Sequence, residues 1–208
     1  MTSQSPATFW DERYAASEYA FGSAPNAFLA AQAHRFHPGQ RAFVPGDGEG
    51  RNGVWLATRG LQVDTVDASV KGVAKARELA AKHNVSINPV VADLTAWPWP
   101  VGMYDVAVSI FLHFPEAQRT AMHRRMLHTL KPGGLLLLEA YRPRQLELQK
   151  TGTVGGPQDV TMLMTRERLI ADFAEADITD IVEVELDLNE GRRHTGRSAV
   201  IRLIARRR

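Results

Sequence analysis

The 208-residue chain contains no cysteine. That removes disulfides, thiolate nucleophiles and Cys-ligated zinc together, and it leaves the compartment open. There is no apolar run near the roughly 20 residues that cross a bilayer, so no membrane partner is expected. The opening MTSQSPATFWDERYAAS lacks a basic segment followed by an apolar core, which argues against a secretory signal and for a cytoplasmic location. Charge of one sign is missing too, because 25 Lys and Arg against 23 Asp and Glu leave a net +2. The basic excess sits at the end, in RRHTGR and ARRR. It has none of the aromatic interleaving of single-strand binders, so a solvated strand end is expected there rather than a nucleic-acid surface. The seven histidines show no H-x-x-x-H or carboxylate-interleaved set, and no metal is expected.

What is present is ordinary for a globular protein: 44% hydrophobic and 23% charged residues, in a length that suits one domain with a full core. Apolar β-rich runs alternate with helical patterns. RAFVPG (41–46), LQVDTVDAS (61–69), INPVVADL (87–94), YDVAVSIFLHF (104–114) and LLLLEAY (135–141) read as strands. RNGVWLATRG (51–60), VKGVAKARELAAKHN (70–84) and EAQRTAMHRRMLHTL (116–130) read as helices with apolar residues three and four apart. Continuous apolar strands alternating with helices mean a parallel sheet covered on both faces. The end departs from this. After a helix over 165–176, the runs 178–188 and 196–206 joined by NEGRRHT predict a terminal antiparallel hairpin. WPWP (97–100) reads as a surface turn, and the scattered methionines as core.

The first strand runs into GDGEGRN, three glycines spaced G-x-G-x-G. Glycine admits positive φ and lets a ligand approach the backbone, and a helix N-terminus follows, which suits a polar cofactor. NAD, FAD and S-adenosylmethionine folds all use related loops. Asp67 ends the second strand, 17 residues past Gly50, where an acid can accept from a ribose diol. It could equally cap the following helix, a role that Ser69 can also take. Asp93, at the end of the third strand, is a third acid, placed to accept from an adenine amino group and outside the NAD pattern.

These stretches, together with LKPGGLLLLEAY, stand in the order and spacing of class I S-adenosylmethionine-dependent methyltransferases, which the chain resembles over residues 41–141. GEGRN and the opening FWDERYAASEYAFGSAPNAFL resemble the small tellurite-resistance (TehB-type) and thiopurine-like members. The resemblance implies an α/β, Rossmann-like three-layer sandwich, with a seven-stranded, mostly parallel sheet whose last strand is antiparallel and inserted beside the fifth. It implies S-adenosyl-L-methionine as cofactor. Gly46, Gly48 and Gly50 would border its methionine part, with Arg51 and Asn52 following. Asp67 would hold the ribose hydroxyls, with Ala68 and Ser69 beside it. Asp93 and Leu94 would read the adenine, and Ser109 and Ile110 would pass near the sulfonium. Trp10 and Arg13, with Tyr14 on the helical face of Trp10 by i,i+4 spacing, would belong to an N-terminal segment that closes over the cofactor, as in the families it resembles. One departure stands out: the usual acid two positions before the first glycine is Val44 here, and Asp47 inside the loop is the candidate to meet the methionine ammonium in its place.

A sulfonium methyl is already activated, so the acceptor must be held in line and kept from water. His113, just past the fourth strand, has a pKa range that suits a general base; it also fits as a histidine packed between Phe111 and Phe114. Tyr141 and Glu139 end the fifth strand, where Glu139 reads better as half of a strand-end pair. The hairpin connection places Arg192, Arg193 and His194 on the ligand edge, which suits an anionic acceptor. His113, His194 and Tyr141 are thus the catalytic candidates. The expected organisation is one domain over 1–208: a helical lid (1–36), a cofactor core (37–141), a flexible substrate loop (142–164), then a helix and hairpin (165–208). The expected partner is a small-molecule acceptor, with the chain a monomer or homodimer. A non-catalytic S-adenosylmethionine-binding module, an NAD-linked oxidoreductase and a nucleic-acid methyltransferase stay as alternatives.

Overall fold

The computed structural model describes residues 5–208; the part of the expected lid that falls on residues 1–4 lies outside them. The chain divides into two compact units, the first ending at Pro98 and the second starting at Trp99. No expected subdivision fell there.

The first unit opens with helix α1 (Pro6–Arg13), which begins where Ser5 accepts from the Thr8 amide and Pro6 supplies a preset φ. Helix α2 (Ala27–Ala31) is capped by Asn26. Strand β1 (Arg41–Pro45), helix α3 (Arg51–Thr58), strand β2 (Gln62–Asp67), helix α4 (Val70–Lys82) and strand β3 (Asn88–Val91) follow. β1 pairs in parallel with β2, and β2 with β3. The WPWP turn is better anchored than a surface turn requires, because Trp97 stacks on the buried Phe43 at 5.5 Å.

The second unit holds strand β4 (Tyr104–Ile110), helix α5 (Glu116–Thr129), strand β5 (Leu130–Tyr141), helices α6 (Gln145–Gln149) and α7 (Arg166–Asp172), and strands β6 (Ala176–Glu190) and β7 (His194–Arg207). β4 and β5 are parallel; β7 runs antiparallel to β5 and to β6. The strands form a seven-stranded sheet in the order β3-β2-β1-β4-β5-β7-β6, the mixed α/β arrangement that the sequence predicts, including the hairpin. The boundaries moved. β4 stops at Ile110 rather than residue 114 because Phe111 turns to φ 54°, and β5 starts at Leu130, the last residue of the expected helix.

The expected flexible loop is tied down. Gln145 and Gln149 donate to the Gly155 carbonyl at 3.0 and 2.7 Å, Val154 bridges Thr195, and Gln145 also accepts from the Ala199 amide. Two long amides replace the missing ladder partners of an irregular strap. The terminal arginines are also engaged: Arg206 and Arg207 donate to carbonyls of Gly133 and His128, and Arg208 pairs with Asp177.

Candidate functional site

In the first unit the glycine loop leaves β1 with Gly46, Gly48 and Gly50 at φ 67°, 57° and 88°. Two of these positions tolerate nothing larger. A Cβ at Gly50 would lie 2.6 Å from the Ala76 side chain, and one at Gly48 2.3 Å from the Tyr14 hydroxyl.

Three acids gather around the loop, all buried. Asp67, at the end of β2, accepts from the Gly48 amide with one oxygen and from the Ser69 amide with the other, both at 2.8 Å. The Ser69 hydroxyl caps α4 through the Gly72 amide. Ser69 takes the cap offered to it, and Asp67 fixes the loop's shape. Glu49 pairs with Lys75 at 2.7 Å and accepts from the Ala20 amide at 2.7 Å. Asp47 accepts from the Gly53 amide at 3.0 Å through Oδ2, and its Oδ1 has no hydrogen-bond partner. Burial, with the Asp67 carboxylate adding to it, pushes the Asp47 carboxyl up to about 7 against the opposing pull of the Gly53 and Asn52 amides and Arg51.

The rest of GEGRN does something the spacing did not predict. Arg51 donates to the Phe21 carbonyl and Asn52 accepts from the Asn26 amide at 3.0 Å, while Lys75 also reaches the Glu18 carbonyl. These side chains hold segment 18–26. Arg51 and Asn52, expected beside the cofactor, serve here as anchors, because the first residues of a helix point back toward its N-terminus. Asp11 adds a second tie, accepting from the Ser69 hydroxyl at 2.5 Å and the Lys71 amide at 3.0 Å. Tyr14 stacks on Trp10 at 5.5 Å and fills the space over Gly48 and Gly72. Its hydroxyl is held far above the usual tyrosine range by burial and by Asp67, Glu49 and Asp47, so it stays a donor. Arg13 lies over the Phe9 ring, 3.3 Å from its centroid. Asp93 is exposed and spends Oδ1 on the amide and hydroxyl of Thr95; Leu94 beside it is buried. Glu49 and Asp11 were missed by sequence reasoning, whereas Tyr14 was expected in the closing segment. The i,i+4 spacing of Trp10 and Tyr14 was the signal for it.

In the second unit, Ser109 and Ile110 end β4, both buried, and the Ser109 hydroxyl has no hydrogen-bond partner. Phe111 stacks on Tyr141 at 4.6 Å and meets the His194 ring edge-on at 4.5 Å. His113 stacks parallel to Tyr141 at 6.0 Å. The three catalytic candidates therefore come together. They are not equivalent. His113 donates from Nδ1 to the Met162 carbonyl at 2.9 Å, and its Nε2 accepts from the Tyr141 amide at 3.4 Å. Burial lowers its pKa to about 4. Both ring nitrogens serve the main chain, the packed-histidine alternative that the sequence also offered. His194 lies buried, 3.8 Å from Glu190, while Arg192 and Arg193 are exposed; only one of the three hairpin groups turns inward. Glu139 is fully buried and pairs with Arg202 at 2.5 Å, the strand-end pair expected of it. Among the described residues no His, Asp or Glu cluster could hold a metal, and no helix is long and apolar enough to cross a membrane.

Residues 45–134, from the glycine loop through β4 and α5, match the methyltransferase domain family. That match spans less than half of the chain, from the end of β1 into β5. Over nearly all of its length the chain is similar in fold to solved structures. Haemophilus influenzae TehB superposes with a TM-score of 0.70 at 17% identity, covering 98% of this chain and 67% of that one. A structure solved for the conversion of a disulfide bond into a thioacetal group during echinomycin biosynthesis gives 0.76 at 18% identity, covering 97% and 89%. The magnesium protoporphyrin IX methyltransferase of Synechocystis, with bound S-adenosylhomocysteine, gives 0.66 at 20% identity, covering 88% and 81%. No curated protein matches the sequence. The residues fit the methyltransferase cofactor, since the loop acids leave one buried carboxylate oxygen without a partner.

Proposed function

We propose that the protein transfers the methyl group of S-adenosyl-L-methionine to a small-molecule acceptor. The observation that carries this reading is the glycine loop pinned by Asp67, which fixes three positive-φ glycines in one shape before any ligand arrives. A preset loop spares the ligand the ordering free energy of an unstructured one. When bound, the cofactor supplies a methyl group already activated on a sulfonium. The residues of this chain then bind, orient and exclude water. Gly46, Gly48 and Gly50 border the amino-acid end, Asp67 with Ala68 and Ser69 the ribose, and Asp93 and Leu94 the adenine. Trp10, Tyr14 and Arg13 close over them. In the second unit Ser109 and Ile110 serve the sulfonium side. Tyr141 and His194 serve the acceptor, with His194 taking or holding its proton.

The test is calorimetric titration of ligand-stripped protein with S-adenosylmethionine, S-adenosylhomocysteine and NAD, followed by an acceptor screen reading S-adenosylhomocysteine release. Binding of the two sulfur compounds alone, with release above the no-acceptor rate for some small molecule, is expected. His194→Ala should cut that turnover while leaving cofactor affinity intact, and normal turnover would remove His194 from the mechanism. A second reading, a module that binds the cofactor without turnover, is favoured by one observation: the strap over 152–156 packs directly on Tyr141, so that a Cβ at Gly155 would lie 2.3 Å from its hydroxyl. Binding without turnover on any acceptor would select it.

A further inference from the structure

Strands β4 and β5 carry Ile110 and Tyr141 at one end and begin side by side at Tyr104 and Leu130 at the other. At that opposite end of the second unit lies a cavity of about 300 Å³, lined by Leu127, His128, Glu175, Arg207 and Arg208. The methyl-transfer reading makes no use of it. Leu127 is its buried apolar element, and the rest of the lining is charged or polar. Arg207 donates through Nη1 to the His128 and Leu130 carbonyls, which closes the end of α5, while its Nε and Nη2 have no acceptor among the described residues. Arg208 is matched: Nε pairs with Asp177 at 2.7 Å, and its two terminal nitrogens donate to the Ala174 and Ala176 carbonyls.

Glu175 is the one carboxylate in the lining. It lies 2.9 Å from His128 Nε2, and the two side chains are 57% and 42% exposed, so water can replace either partner at little cost. Arg124 is exposed, one turn before His128 on α5, and its side chain makes no hydrogen bond among the described residues. The His128 hydrogen bond holds the Glu175 carboxyl below its ordinary range, and the charges of Arg124 and Arg207 add to that. Glu175 thus answers for two guanidiniums, and one positive charge is left over even with His128 neutral. The negative end of α5 is already answered by Arg207 Nη1.

We propose that this cavity is a binding site for a phosphate group, held by Arg207 and Arg124 with His128 beside them, and that Glu175 turns out to solvent as the group enters. The guanidinium fork matches an oxyanion edge, and such charge-assisted bonds are the strong ones. The charge count selects phosphate over a single carboxylate: once Glu175 leaves, two guanidiniums are unanswered, and a group near two negative charges at neutral pH answers both. The site is independent of the proposed reaction, so either can fail alone.

The experiment is an NMR titration of the full chain that follows the arginine Nε–H and histidine ring signals. The probes are inorganic phosphate and glycerol 3-phosphate, with sodium chloride at matched ionic strength as control, because general screening moves every exposed charge. Saturable shifts at Arg124, Arg207 and His128 are expected with the two phosphates and not with chloride. Tighter binding of glycerol 3-phosphate would mark a phosphorylated metabolite as the occupant, and equal binding the phosphate ion itself. Arg124→Ala should weaken binding roughly 10-fold and leave the thermal midpoint in place, since that side chain holds nothing in the fold. Glu175→Gln should tighten binding about 2- to 5-fold by removing the competing carboxylate, the opposite of what a purely structural pair would give. Arg207 stays unaltered because its loss would uncap α5. Shifts no larger than those with chloride, or one affinity shared by the wild type and both variants, would overturn the proposal.

Discussion

The glycine loop of the first unit and the aromatic–histidine cluster of the second were both expected to be functional, and they are built in opposite ways. Around the loop, charged side chains are spent on main-chain amides, and one carboxylate oxygen is left over. In the cluster, rings pack on rings at 4.5 to 6.0 Å, and both nitrogens of His113 are saturated. A spare polar valence in a preset frame marks a place for a ligand. A saturated one marks scaffold, however reactive its side chain looks in sequence.

The sharpest way to break this contrast is to add one methyl group in each region. Gly50→Ala would force φ 88° on an L-residue and drive a Cβ against both the side chain and the backbone of Ala76. A loss of about 3–4 kcal/mol, read by denaturant unfolding, is expected. Gly155→Ala also clashes, but with the Tyr141 hydroxyl. Adding Tyr141→Phe should therefore restore part of its loss, on the order of 1 kcal/mol, whereas Gly50→Ala has no such rescue. Equal rescue in both would erase the distinction.

The two regions should also respond oppositely to pH. His113 has its pKa lowered to about 4 in the fold. Its contribution is full above about 6.5 and is lost as pH falls toward 4, to the extent of about 3 kcal/mol. His113→Asn should flatten that limb of the stability–pH curve. Asp47 has its carboxyl raised to about 7, so it subtracts stability as pH rises from about 4 to 7. Asp47→Asn should thus leave the empty protein more stable at pH 8, by about 2 kcal/mol or more, and change little at pH 4. The smallest effect expected is that of Gln149→Ala. It removes the donor to Gly155 but leaves that of Gln145, so about 1 kcal/mol and faster proteolysis of the 150–158 strap are expected.

Much of the frame was legible in advance. Continuous apolar strands, G-x-G-x-G after the first and an acid after the second identify the sheet and the loop, because strand burial and positive-φ glycine are local requirements. The terminal hairpin followed from strand-like runs with a short basic connection. The uses of Arg51, Asn52 and Glu49 did not follow. Nothing in GEGRN states that its side chains hold residues 18–26, since that depends on a segment some 30 positions away folding back. The ties of the strap over Tyr141 were hidden for the same reason: TGTVGGP is flexible by composition, and its partners Gln145, Gln149, Thr195 and Arg197 lie outside it.

The sequence by itself determined the sheet and the loop, which rest on periodicity, glycine conformation and strand-end acids, all set by near neighbours along the chain. Only the tertiary structure decided which titratable groups keep an open valence. Asp47 and His113 look equally available as letters, yet the fold gives His113 two main-chain partners and leaves Asp47 one oxygen without any. Hydrogen-bond saturation is a property of what packs around a group, and that is fixed only when distant segments meet.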